Sequence, residues 1–218
     1  MRTEEPNNMS QNTEENKQDT RAPNETSGFH VEGHIKIFDP ETKEVFIDKR
    51  NAIHYENMSI AMASSLSNQG SGWISEMAFG NGGTVVDSTG LITYLTPNTN
   101  GINSSLYYQT YSKVVDQNSA LNTDVARNKM EVRHVSGATY SDIVVSCLLD
   151  YGEPAGQEAF DNSVDMSGDF VFDELGLKSS TGKLLTHVVF HPVQKSLNRL
   201  IQIDYTIRIQ SLTGFTEV

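Results

Sequence analysis

The last stretch of the chain constrains the fold most. Ile201, Ile203, Tyr205, Ile207 and Ile209 alternate with Gln202, Asp204, Thr206, Arg208 and Gln210. Successive side chains of a strand point to opposite faces, so this run predicts one buried and one wet face, as in an antiparallel sheet. Such a strand needs neighbours, and the sequence offers them. Val31, Gly33, Ile35 and Ile37 alternate with His30, Glu32, His34 and Lys36. Asp39-Pro40-Glu41-Thr42 reads as a turn with proline at its second position, and Val45-Phe46-Ile47 returns to complete a hairpin. Trp73, Ser75, Met77 and Phe79 are expected on one face of a further strand, with Ile74, Glu76 and Ala78 on the other. More strands are expected over residues 106–115, 130–135, 140–149 and 184–191. Only residues 53–66 read as a helix, with Met58, Met62 and Leu66 four apart and Ala61 and Ala63 favouring the state. The expected fold class is mainly β: an antiparallel β-sandwich, jelly-roll-like, with one short α-helix. The polar connections 96–105 and 117–128 are longer than hairpins need and read as contact-bearing loops.

Residues 1–28 differ in kind. They hold almost no large apolar side chain beyond Met1 and Met9 and are rich in Asn, Thr, Glu and Gln. Such a segment buries too little apolar area to offset its ordering entropy, so it is expected to be a flexible N-terminal arm, disordered or extended. Residues 29–218 are expected to form a single domain. Composition narrows the function. With 16 basic against 28 acidic residues and a net charge of −12, phosphate neutralisation is not expected, so nucleic acid is set aside as a partner. No apolar run nears the roughly 20 residues that cross a bilayer, and no apolar leader opens the chain, so no membrane is expected either. One cysteine, Cys147, leaves no internal disulfide framework.

Candidate chemistry resolves mostly into structure. Gly80-Asn81-Gly82-Gly83 follows a strand but lacks the GK[ST] of a phosphate loop, and Thr84-Val85-Val86 favours another strand. A tight turn with positive φ is the expected reason for these glycines. His187 and His191, like His30 and His34, are spaced to share one strand face, yet no cysteine or carboxylate stands at a matching spacing to complete a zinc set. The acidic residues Glu153, Glu158, Asp161, Asp165, Asp169, Asp173 and Glu174 lack the calcium-loop pattern and read as a solvated acidic loop. Cys147 in an apolar run reads as a buried, inert thiol; His134 or His187 could serve on paper as the partner of a nucleophile. Tyr107, Tyr108 and Tyr111 near Asp116 are the residues a carbohydrate-binding or hydrolysing sandwich would use, and the ordinary expectation is that they fill the core. No catalytic, cofactor-binding or metal-binding residue is therefore assigned, no cofactor is expected, and the chain is not expected to be an enzyme.

Two segments carry a resemblance. Trp73-Ile74-Ser75-Glu76-Met77-Ala78-Phe79-Gly80-Asn81-Gly82-Gly83-Thr84, followed by Asp87-Ser88-Thr89-Gly90-Leu91, resembles a pattern of tailed-bacteriophage structural proteins, found in tail-collar-fibre, baseplate and fibre-adaptor modules. Phe172-Asp173-Glu174-Leu175-Gly176-Leu177, then Thr181-Gly182-Lys183-Leu184-Leu185-Thr186-His187 and Pro192-Val193-Gln194-Lys195-Ser196, is similar to a second pattern of the same modules. The resemblance spans most of residues 30–212. It implies a virion building block with no active site to transfer. Its partners would be other virion proteins, namely tail, neck, fibre or capsid subunits, together with further copies of itself. It would reside in the virion after assembly in the bacterial host cytoplasm, which suits a chain without disulfides. Tail-fibre proteins usually continue into a long shaft, and this sequence stops at Val218, so an adaptor or collar, neck or tail component is expected. Capsid decoration is the alternative, and a carbohydrate-binding sandwich comes third.

Overall fold

The computed structural model describes residues 28–156 and 170–212. It is mainly β, with 49% strand and 7% helix, and most of the strands form one large curled antiparallel sheet. Along the chain come β1 (Gly28–Phe38), β2 (Val45–Ile53), α1 (Tyr55–Leu66), β3 (Ile74–Gly80), β4 (Thr84–Val86), β5 (Ile92–Tyr94) and β6 (Gln109–Val114). β7 (Lys129–Arg133), β8 (Tyr140–Leu149), β9 (Val171–Ser179), β10 (Thr186–Gln194) and β11 (Ile201–Leu212) follow. The large sheet has the order β6-β3-β9-β10-β2-β1-β11-β8-β7, and β4 and β5 form a separate hairpin.

The alternating runs behave as expected. Ile201, Ile203, Tyr205 and Ile207 are buried in β11, and Val31, Ile35 and Ile37 are buried in β1. The two strands pair from Gly28–Leu212 to Phe38–Gln202, which joins their apolar faces. At the β10–β2 seam the sheet is held by only two residue pairs, Thr186–Ile53 and His187–Ala52. On either side of this seam the sheet turns inward. One apolar cluster draws on both halves, with Phe79, Phe172 and Leu175 from one and Ile35, Cys147 and Tyr205 from the other. The far strands also meet, since the Lys113 ammonium of β6 donates to the Leu148 carbonyl of β8 at 2.7 Å. This shape is compatible with the expected sandwich.

Several expectations need correction. The solvated acidic loop is wrong for Asp173 and Glu174, which lie fully buried in β9. Glu153 is half-buried and pairs with Lys113. Glu158, Asp161, Asp165 and Asp169 lie outside the described residues, as does the expected arm apart from Gly28. In β3 the simple alternation fails because the ladder with β9 shifts register between Ile74 and Glu76. The irregularity puts Ile74 in the core and leaves Trp73 exposed. The helix starts at Tyr55 rather than residue 53, because Ile53 is still paired with Thr186. The His54 ring then caps it, its Nδ1 accepting from the Asn57 amide at 3.2 Å. Of the Met58, Met62 and Leu66 stripe only Met58 is buried, and Leu66 is 86% exposed.

Candidate functional site

The two sequence segments that carry the resemblance meet at one place. β9 is the central strand of its half, with β3 on one side and β10 on the other. Its inner face joins the core through Leu175 and Leu177. Its outer face is covered by the segment that runs from the glycine cluster through the β4–β5 hairpin to Tyr108. That covering segment brings many backbone N–H groups over the sheet, and buried N–H groups need acceptors.

Adjacent carboxylates of β9 supply them. Asp173 accepts from the Gly83 amide at 2.9 Å, from the Thr84 amide at 2.8 Å and from the Thr84 hydroxyl. Glu174 accepts from the Tyr107 amide at 2.9 Å and the Tyr108 amide at 2.7 Å. His187 of β10 completes the set, with Nε2 at 2.9 Å from Glu174 Oε2 and Nδ1 accepting from the Asn98 amide at 2.7 Å. Because Nδ1 accepts, the proton sits on Nε2 and is donated to the carboxylate. The Tyr107 ring packs on the imidazole, with centroids 5.6 Å apart. Each of the three ionisable side chains is thus bound to the covering segment. The charge of both carboxylates is met by amide dipoles, the condition under which a buried charge is tolerated.

The glycines fit this packing. None of Gly80, Gly82 and Gly83 has positive φ, which corrects the expected turn conformation. Close approach requires them instead. A Cβ on Gly80 would lie 2.5 Å from Glu174 Oε1, and one on Gly82 would lie 2.7 Å from the Tyr108 amide nitrogen. Left-handed backbone appears further on, at Gly90 with φ 84°. There Asp87 closes the hairpin turn by accepting from the amides of Thr89 and Leu91 at 2.8 and 3.0 Å. These hydrogen bonds, with the Thr89 hydroxyl first, hold the Asp87 carboxyl below its ordinary range. Lys195 of the second segment is also buried, its ammonium donating to the Ser196 carbonyl at 2.8 Å and the Tyr151 carbonyl at 3.3 Å.

The remaining candidates are scattered. His191 is exposed and touches the Tyr94 hydroxyl at 3.3 Å, while His187 is buried. The expected shared face is lost because the ladder with β9 shifts register between Val189 and Val193. His30 and His34 are both exposed, and His34 pairs with Asp48 at 2.8 Å. Among the described residues no group of three His, Cys, Asp or Glu side chains is placed to hold a metal ion. Cys147 is fully buried on the core face of β8, and burial pushes its thiol up to about 12. His134 is exposed and bonded to the Tyr140 carbonyl and the Ser141 hydroxyl. Tyr107 and Tyr108 depart from the core expectation, whereas Tyr111 packs against the core. Tyr107 and Tyr108 are 44% and 59% exposed, because both residues turn their amides inward to Glu174. Tyr111 packs on Phe79 with centroids 6.0 Å apart. Asp116 accepts from the Asn118 amide of its own turn at 2.9 Å.

The arrangement around Asp173, Glu174 and His187 is a staple. General acid or base work needs a lone pair or proton directed at a space a reactant can enter. Here both ring nitrogens of His187 and both oxygens of each carboxylate are bonded within the fold, and the principal grooves are lined by other residues. Comparison with protein-family models, with curated proteins and with solved structures finds no match.

Proposed function

We propose that this chain is a non-enzymatic building block of a tailed-bacteriophage virion, an adaptor or collar component of the neck or tail that joins neighbouring subunits through its β-domain. One observation carries the reading. The two segments that resemble virion modules converge on a single hydrogen-bonded unit, in which the second segment supplies Asp173, Glu174 and His187, the first supplies the Gly83 and Thr84 donors, and the connection that follows the first adds the Tyr107 and Tyr108 amides. Motif residues used in this way build architecture and present a rigid outer segment, which is what an assembly subunit needs from its framework. The segment displays exposed Val85, Leu91, Tyr94, Tyr107 and Tyr108. Aromatic residues on a fixed frame are enriched where protein surfaces meet.

The test is immunogold electron microscopy of purified particles with antibody raised against the recombinant chain. Label at the neck, tail or baseplate is the expected result. Label spread over the head would replace the adaptor reading with capsid decoration. Absence of label from both intact and disrupted particles would overturn the virion reading.

A further inference from the structure

We propose that the face centred on α1 is a two-fold interface with a second copy of this chain. Among the described residues the core is open at this end of the sheet. Between α1 and strands β7, β8 and β11 lies an apolar groove of about 430 Å³, with Met62, Met130, Ile143 and Ile209 among its lining. These four side chains are only partly buried, although they pack directly against the main core. Knobs stand at the rim of the same groove. Leu66 is 86% exposed, Val132 75% and Trp73 44%. On the other flank of α1 a second groove of about 260 Å³ exposes Ile60 and Ile102.

Charge selects the occupant. One residue in five of this chain is charged, yet between Asn57 and Ser112 only Glu76 and Asp87 are. Glu76 faces Lys178 at 3.8 Å, and Asp87 is turned into its own hairpin. α1 carries a single charged residue, Glu56 in its first turn, although the outer face of a surface helix is ordinarily polar and charged. Among the described residues the one charge lining the apolar groove is Glu131, which is paired with Lys129 and Arg133. Charged pairs gather instead on the outer face of β2-β1-β11-β8, as His34–Asp48, Arg50–Glu32 and Arg208–Asp142.

A two-fold axis sets a patch against itself, so side chains near the axis meet their own copies. A charge there meets a like charge, which is costly. A chain of net charge −12 therefore approaches its copy best through a face without charges. The α1 face comes near that condition, since Glu131 at the apolar groove is ion-paired and Lys183 at the second groove is bonded to Asn103, and it holds both an apolar hole and the knobs to fill the partner subunit's hole. This inference is independent of the virion reading. A solution dimer would stand if particles carried no label, and a solution monomer would leave the particle result untouched.

The experiment is sedimentation velocity with light scattering on the full chain across a concentration series. A concentration-dependent dimer is expected. Leu66→Glu, at an 86% exposed site, is expected to weaken it at least about a hundredfold with the fold intact by circular dichroism. Leu121→Glu, at a 78% exposed site on the 117–128 loop, is the control and is expected to stay within about twofold. Trp73 is the sole tryptophan, so its emission should shift to the blue on dimerisation and lose that shift in Leu66→Glu. A monomer up to about 100 μM, an unchanged dimer in Leu66→Glu, or equal weakening by Leu121→Glu would each overturn the proposal.

Discussion

Glu174→Gln isolates the staple, because it preserves shape and changes only hydrogen-bonding character. Glu174 is fully buried and receives three N–H groups. Oε1 takes Tyr108, and Oε2 takes both Tyr107 and His187. Glutamine offers one oxygen and one NH2. With its oxygen in the Oε2 position it keeps Tyr107 and His187 but sets its NH2 against the Tyr108 amide. The other orientation sets the NH2 against two donors. His187 cannot relieve the conflict by moving its proton, since Nδ1 would then oppose the Asn98 amide. At least one charge-assisted bond is lost and one buried donor is stranded, a destabilisation of about 2–4 kcal/mol. For a domain of this size that is a fall in Tm of roughly 5–15 °C. Urea unfolding followed by circular dichroism would measure it, with an unchanged m-value showing that the native state stays compact. Hydrogen exchange should speed up first at the Tyr107 and Tyr108 amides. A loss under about 0.5 kcal/mol would refute the reasoning, because the amides would then have other acceptors.

Other outcomes follow from the same structure. Gly82→Ala should cost about 1–3 kcal/mol by crowding the Tyr108 amide nitrogen at 2.7 Å, and a neutral result in thermal melts would show that the covering segment sits loosely. Two hydrogen bonds from Arg208 hold the Asp142 carboxyl below its ordinary 3.8. A lowered folded pKa stabilises above the unfolded pKa, and the benefit is lost as pH falls through the folded value. The stability gap between the wild type and Asp142→Asn should therefore be flat above about pH 5 and shrink in more acidic buffer; a gap that widens there would contradict the pairing. Cys147, with its thiol pushed up to about 12, should resist a thiol-reactive disulfide reagent at pH 8 until denaturant is added, and rapid native labelling would place it outside the core.

Strand runs with one wet face were legible in the sequence. β8 matches its expected span, and β1 and β11 bury the residues their alternation names, except that Ile209 is half-buried. β9 was hidden for a physical reason. A central strand covered on both faces shows no alternation, and its acidic pair resembles a solvated loop until the amides that neutralise it are in view. The pointer was available at the other motif, since a glycine cluster without a phosphate signature still brings unpaired N–H groups that need acceptors. Bulges hid the rest. The β3 ladder gains one residue against β9 before Glu76 and the β10 ladder gains two between Val189 and Val193, so the faces of Trp73 and His191 could not follow from spacing alone. The face around α1 was visible as missing charge rather than as a motif.

The pairing of β1 with β11 has a consequence for how the domain is made. The first described strand lies between β2 and the last one, and the staple joins Glu174 to amides 66 and 67 positions earlier. Such a topology has high contact order, so folding is slow relative to helical domains of equal size. On a ribosome, β1 has only its hairpin partner until residues 201–212 emerge. Until then its other edge is an unpaired template, and the segment over residues 81–108 has itself to wait for its acceptors on β9. Closure of the sheet is therefore a late, nearly all-or-none event, and a nascent chain halted before β11 should be a substrate for chaperones and proteases rather than a smaller folded domain.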